Sequence, residues 1–214
     1  MRRKSALAVL AAAALFAAGC EKNATAPVEG TLASADAAML AEELDAITGV
    51  ALSTQIGSFM LFASAPGNAA PLPVDRSFTT TRQCPGGGSV TVAGTTKGEM
   101  DRATRSLSLE TNATRTENAC AIPTRRAGGA TLTLTGNPNV AIRAVHKVAN
   151  GEPSGPQTVT QKGAFRWSSS DGRSGSCTVD LTSTLDFASQ TYSVKGTLCG
   201  QTVDVTKKGA RPGR

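Results

Sequence analysis

The sequence predicts a mainly β protein: an antiparallel meander of about nine strands curled into a barrel or half-barrel, with one N-terminal amphipathic helix packed on it. An α+β arrangement of the same parts is the alternative. Three observations predict this. From Arg76 onward, apolar residues alternate with Thr, Ser, Lys and Arg at a period of two, the spacing of a strand with one buried face. Glycine or Asn/Asp clusters interrupt the alternation every ten or so residues, where turns are needed. An open sheet of so many strands leaves long exposed edges, so curling is expected.

In chain order, the first element is a leader. Arg2, Arg3 and Lys4 precede an apolar run from Ala6 to Ala18, and small residues follow up to Cys20. That run is too short to cross a ~30 Å hydrocarbon core as a helix, and it reads as a secretory signal. Phe16-Ala17-Ala18-Gly19-Cys20 resembles the lipobox of bacterial lipoproteins, with Ala17 where the usual pattern has leucine. The resemblance implies that residues 1–19 form a signal peptide and that the Cys20 thiol carries diacylglycerol as the first residue of the mature chain. It also implies two or three acyl chains, enough for stable attachment to a membrane. Glu21 stands where an inner-membrane retention signal usually has Asp, which implies transport to the outer membrane. The expected location is therefore the cell envelope, lipid-anchored at the outer membrane and facing the periplasm or the cell surface. A soluble secreted protein is the alternative.

Residues 20–33 are polar and alanine-rich, with too few large apolar groups to fold, and read as a flexible tether. Residues 34–75 form a helical segment and a Pro-rich linker. Ser34 is an N-cap, Asp36 suits the first turn, and Leu40, Leu44, Ile47 and Ala51 recur at helical spacing. The pattern predicts a helix over 35–48 with a weaker continuation to Ile56, Gly49 and Gly57 marking its ends. Glu42, Glu43 and Asp45 fall on its outward side, and Phe59 to Phe62 is apolar enough to join a core.

Charge divides the chain: residues 21–75 carry seven acids and one base, and residues 76–214 carry nine acids and eighteen bases. An acidic helix is repelled by anionic lipid, so docking on the basic remainder is expected. Residues 76–208 are the antiparallel β domain, with strands at 77–84, 89–98, 105–116, 130–136, 140–149, 158–168, 176–185, 191–198 and 202–207. Val90/Val92, Leu107/Leu109, Leu132/Leu134, Val140/Ile142 and Val179/Leu181 supply its buried face. Residues 209–214 read as a disordered basic tail.

Four cysteines remain after Cys20, an even number that favours disulfides in an exported chain. Cys84 and Cys120 are equidistant from Arg102, and Cys177 and Cys199 are equidistant from Ala188, each centre lying in a turn-like stretch. Residues equidistant from a hairpin tip face each other, which predicts Cys84–Cys120 and Cys177–Cys199. The same registers put Val179 opposite Thr197 and Val90 opposite Thr114. A bulge near Gly94 or Gly98, and another near Gly196, would reconcile bridges with apolar matching.

Chemistry is sparse. His146 is the only histidine, with no HExxH, GxSxG or SxxK pattern beside it, so no catalytic residue is assigned. No CxxC spacing points to a metal, and no cofactor is expected. Cys84-Pro85-Gly86-Gly87-Gly88 lacks the lysine of a phosphate loop. The basic residues are scattered apart from Arg125-Arg126 and the tail, and aromatics are few, which excludes nucleic acid as a partner. Two non-catalytic classes remain. One is a binding module for an apolar or anionic envelope molecule, and the other a structural or assembly lipoprotein engaging another envelope protein. Phe165, Trp167 and Tyr192 decide between them: lining a cavity favours the first, filling a solid core the second.

Overall fold

The computed structural model describes residues 28–63, 70–124, 129–136 and 139–209. Cys20 with its leader, Arg125-Arg126 and residues 210–214 lie outside these. The described chain is one sheet and one helix. Strand β1 (Val28–Glu29) leads into α1 (Ser34–Ala63). There follow β2 (Leu72–Gln83), β3 (Ser89–Asp101), β4 (Ser106–Asn118), β5 (Cys120–Pro123) and β6 (Thr131–Thr135). The rest are β7 (Val140–Ala149), β8 (Glu152–Pro153), β9 (Gln157–Ser169), β10 (Arg173–Asp186), β11 (Thr191–Leu198) and β12 (Gln201–Lys208). The main path runs β12-β11-β10-β9-β7-β4-β3-β2 and does not close, so β12 and β2 are edges. Pairing is antiparallel except for β1, which lies parallel to the start of β10. The predicted mainly β fold, an antiparallel meander with one N-terminal helix on it, is the fold observed; of the barrel and half-barrel expected, the sheet fits the half-barrel, since it does not close.

One face of the sheet is buried, and period two makes it so. Along β4 the buried side chains are Leu107, Leu109, Thr111, Ala113, Arg115 and Glu117, with their neighbours turned outward. Along β7 they are Val140, Ile142, Ala144, His146 and Val148. Against this concave face lies α1, burying Ala37, Leu40, Ala41, Leu44, Ala51 and Leu52, the recurrence of a helix with one apolar stripe. It reaches both edges: Glu42 pairs with Lys207 of β12, and Arg82 of β2 donates to Thr54 at 3.0 Å. The helix runs on past both predicted ends to Ala63, since Gly49 and Gly57 lie on its exposed side and do not end it. Burial of the stripe outweighs the roughly 1 kcal/mol that each glycine costs. Phe59 packs on a second cluster of Val74, Met100, Leu107, Leu109 and Val148. The sheet also begins earlier than Arg76, because Leu72-Pro73-Val74 of the expected linker pair with Met100, Glu99 and Gly98.

Both disulfides, Cys84–Cys120 and Cys177–Cys199, are formed, with Cα atoms 5.5 and 4.2 Å apart. Such bridges belong to a chain that matures in an oxidising, non-cytoplasmic compartment. The pairs are those expected, but the registers are not. Val90 lies opposite Glu117, both turned inward, and Val179 lies opposite Leu198, apolar on apolar. Both ladders run unbroken through Gly98 and Gly196, so there is no bulge. The cysteines reach each other because one of each pair sits beside a strand end: Cys84 in the turn before β3, and Cys199 in the turn after β11. Gly98 and Gly196 serve curvature instead. Their φ angles are +154° and +136°, and a Cβ would come within 1.9 Å of Ser108 O and 2.0 Å of Asp180 O. Only glycine lets adjacent strands approach so closely where the sheet curls.

This packing is open to mutation and to mapping. Leu44→Asp places a carboxylate in the helix–sheet core and should lower stability by about 3 kcal/mol or more, measured by urea denaturation, whereas exposed Val50→Asp should change it little. Non-reducing peptide mapping should recover 84 joined to 120 and 177 joined to 199. A peptide joining 84 to 177 or to 199 would contradict the fold.

Candidate functional site

The chemistry-bearing side chains of this molecule meet inside the half-barrel. Arg115 and Glu117 are two apart on β4, so both face inward, and Gln161 faces inward from β9 on the row that carries Phe165 and Trp167. From α1, Asp45 and Thr48 join them, each one turn beyond a buried member of the apolar stripe, Ala41 and Leu44 respectively. Asp45 is therefore not on the outward side of the helix where the charge pattern puts it. It is 7 % exposed, and Thr48 is fully buried.

The contacts form a chain across the interior. Arg115 Nε donates to Glu117 Oε1 at 2.6 Å, and Arg115 Nη1 donates to Thr48 Oγ1 at 3.2 Å and to Gln161 Oε1. Gln161 Nε2 donates to Asp45 Oδ1 at 2.8 Å, and the Tyr192 hydroxyl of β11 donates to Asp45 Oδ2. Thr48 Oγ1 in turn donates to Leu44 O at 2.7 Å. Strands β4, β9 and β11 are thus tied to α1 through one guanidinium and one carboxylate. Two atoms of the set, Arg115 Nη2 and Glu117 Oε2, are buried without a hydrogen-bond partner among the described residues. Burial, then the Asp45 charge and its hydrogen bond, hold the Tyr192 phenol proton far above its ordinary range, so this hydroxyl stays a donor.

The residues singled out from the sequence fall as follows. Phe165 and Trp167 are buried at 0 % and 3 % and belong to the core around α1, and Tyr192 packs against it with its hydroxyl on Asp45. All three belong to one apolar core, Phe165 and Trp167 fully inside it and Tyr192 at its margin. The four cysteines staple strand ends, and Cys20 lies outside the described residues. His146 is buried, with Nδ1 3.0 Å from Gln157 Oε1 and Nε2 without a partner among the described residues. Arg115, Glu117 and Gln161 belong to no motif, and Asp45 reads from the sequence as a solvated charge. A signal is nonetheless present: an Arg and a Glu stand on the inward register of β4, and an Asp lies within the Leu40–Leu44–Thr48 stripe.

Breaking a buried ion pair strands its partner. Arg115→Met should cost about 3–5 kcal/mol in urea denaturation, and Arg115→Met with Glu117→Leu should cost less than the two single changes together. His146 makes stability depend on pH. Burial lowers its pKa below the ordinary 6.5, and the Gln157 hydrogen bond only partly opposes this. The unfolded chain then binds the proton more readily, so stability rises with pH toward about 6.5 and this contribution levels off above it. His146→Leu should flatten the slope of melting temperature against pH between about 5 and 6.5. Compared with known proteins, the chain matches no family model, no curated protein and no solved structure.

Proposed function

We propose that the protein is a non-catalytic, lipid-anchored envelope protein that presents a rigid β module to another envelope protein. The observation that carries this reading is the covered concave face: Phe165 and Trp167 are buried in the same core as Leu40 and Leu44 of α1, and the surfaces left to a partner are the outside of the sheet and its edges. Attachment through acyl chains on Cys20 is supported by the lipobox-like Phe16–Cys20 stretch and by the oxidising compartment that the two disulfides imply.

The entry of the chain supports an orientation. Val28 and Glu29 pair with Arg173 and Ser174, and Gly30 N donates to Ser174 O at 2.9 Å. The tether therefore joins the sheet at the β9–β10 turn, beside the Cys84–Cys120 bridge and the β5–β6 hairpin. With Cys20 in a membrane, this end faces the bilayer. The β3–β4, β7–β8 and β10–β11 turns project away from it, and Gly209, bonded to Gln190 O, leaves from that far end.

A second reading, a binding module for an apolar or anionic envelope molecule, draws on an open depression of about 370 Å³ at the far end. Leu107 and Val148 give it an apolar floor, and Glu99, Asp101 and Lys147 stand around it. Two carboxylates against one ammonium disfavour an anionic guest.

Expressed in a Gram-negative host, the protein should label with palmitate and fractionate with outer membrane, and Cys20→Ser should move it to the soluble fraction or stall it. Equal membrane retention by Cys20→Ser would remove the lipid anchor from this reading. A photo-crosslinker at Thr104 should capture an envelope protein more than one at Ser170. The reverse order would overturn the orientation.

A further inference from the structure

We infer that the concave face of the sheet carries a carboxylate-binding site, which Asp45 of α1 occupies within the same chain. The donors belong to the sheet: Gln161 Nε2 on one oxygen of the carboxylate and the Tyr192 hydroxyl on the other. Gln161 is aimed independently of Asp45, because Arg115 fixes it from behind and is itself held by Glu117. Two donors on separate oxygens fit the two-oxygen geometry of a carboxylate. Arg115 is itself fully buried and paired with Glu117, so the group that fixes Gln161 is held in place. Tyr192 also remains protonated to high pH, so the site does not lose a donor across the ordinary range. The ligand class is a small monocarboxylate, or a carboxylate borne on a buried helix as here.

The test is rescue of the full chain by small carboxylates. Asp45→Ala removes the carboxylate and leaves Gln161 and Tyr192 facing the space it filled, a fit for formate. Sodium formate should raise the melting temperature of Asp45→Ala by roughly 2–4 °C with a saturating dose response, relative to sodium chloride at equal ionic strength. The wild-type chain should show no difference between the two salts, and Asp45→Ala combined with Tyr192→Phe should lose most of the effect. Equal responses to formate and chloride in Asp45→Ala, or full rescue without the Tyr192 hydroxyl, would overturn the site. If Asp45→Ala does not fold unaided, refolding in formate should restore the near-ultraviolet signal of Trp167 and refolding in chloride should not. Recovery in neither salt would count against the site. None of these outcomes depends on Cys20 or on a partner protein, so the result stands apart from the proposed function.

Discussion

Everything else in this structure depends on α1 filling the concave side of a sheet that does not close. A sheet with one apolar face must cover that face or aggregate, and here the covering comes from the same chain. Fully burying Leu40, Leu44 and Leu52 contributes about 1.5–3 kcal/mol each, more than an exposed ion pair contributes. The helix is core, not an accessory. One ion pair between the acidic helix and the basic sheet, Glu42–Lys207, lies at the exposed margin of the contact, where it adds to the docking without carrying it.

The polar chain inside that contact has a different effect. A guanidinium and two carboxylates out of water cost several kcal/mol each before pairing, and their hydrogen bonds only offset this. A purely apolar interface would hold the helix as well, yet it would tolerate sliding by a turn. With Asp45 between Gln161 and Tyr192, a shift of one turn would leave the Asp45 carboxylate, the Gln161 amide nitrogen and the Tyr192 hydroxyl without these partners. Register is thereby fixed by the penalty on every alternative.

How much of this is legible in the sequence follows from the same physics. Strand positions are readable because alternation has a period of two and the inward residues are mostly Val, Leu and Ile. The extra length of β2 and the short β1, β5 and β8 escape that pattern, since none of them alternates over enough residues to stand out. The disulfide pairs are readable although their registers are not. Spacing locates the two hairpins, but matching of inward faces decides the ladders, and one cysteine of each pair shifts into an adjoining turn. The site is the least legible part. A charged residue at an inward position reads as solvated unless its partner is known, and the partners of Asp45 lie 116 and 147 residues away. No local pattern links α1 to β9 and β11.

The convex face bears on where such a domain can sit. Lys97 pairs with Asp75, Arg143 with Glu110, Lys162 with Asp180 and Lys195 with Asp204, at 3.4, 3.0, 3.2 and 3.4 Å. Each pair is exposed and contributes little to stability. Their positions matter more than their energies: they cross from strand to strand midway along the sheet, where a membrane-spanning barrel would carry an apolar band toward lipid. Charges at that height require water outside the sheet, while the inside is closed by α1. Among the described residues, no helix is long and apolar enough to cross a membrane. Lipid attachment at Cys20, which we propose, would bring the β9–β10 end, where Gly30 N donates to Ser174 O, closest to the bilayer.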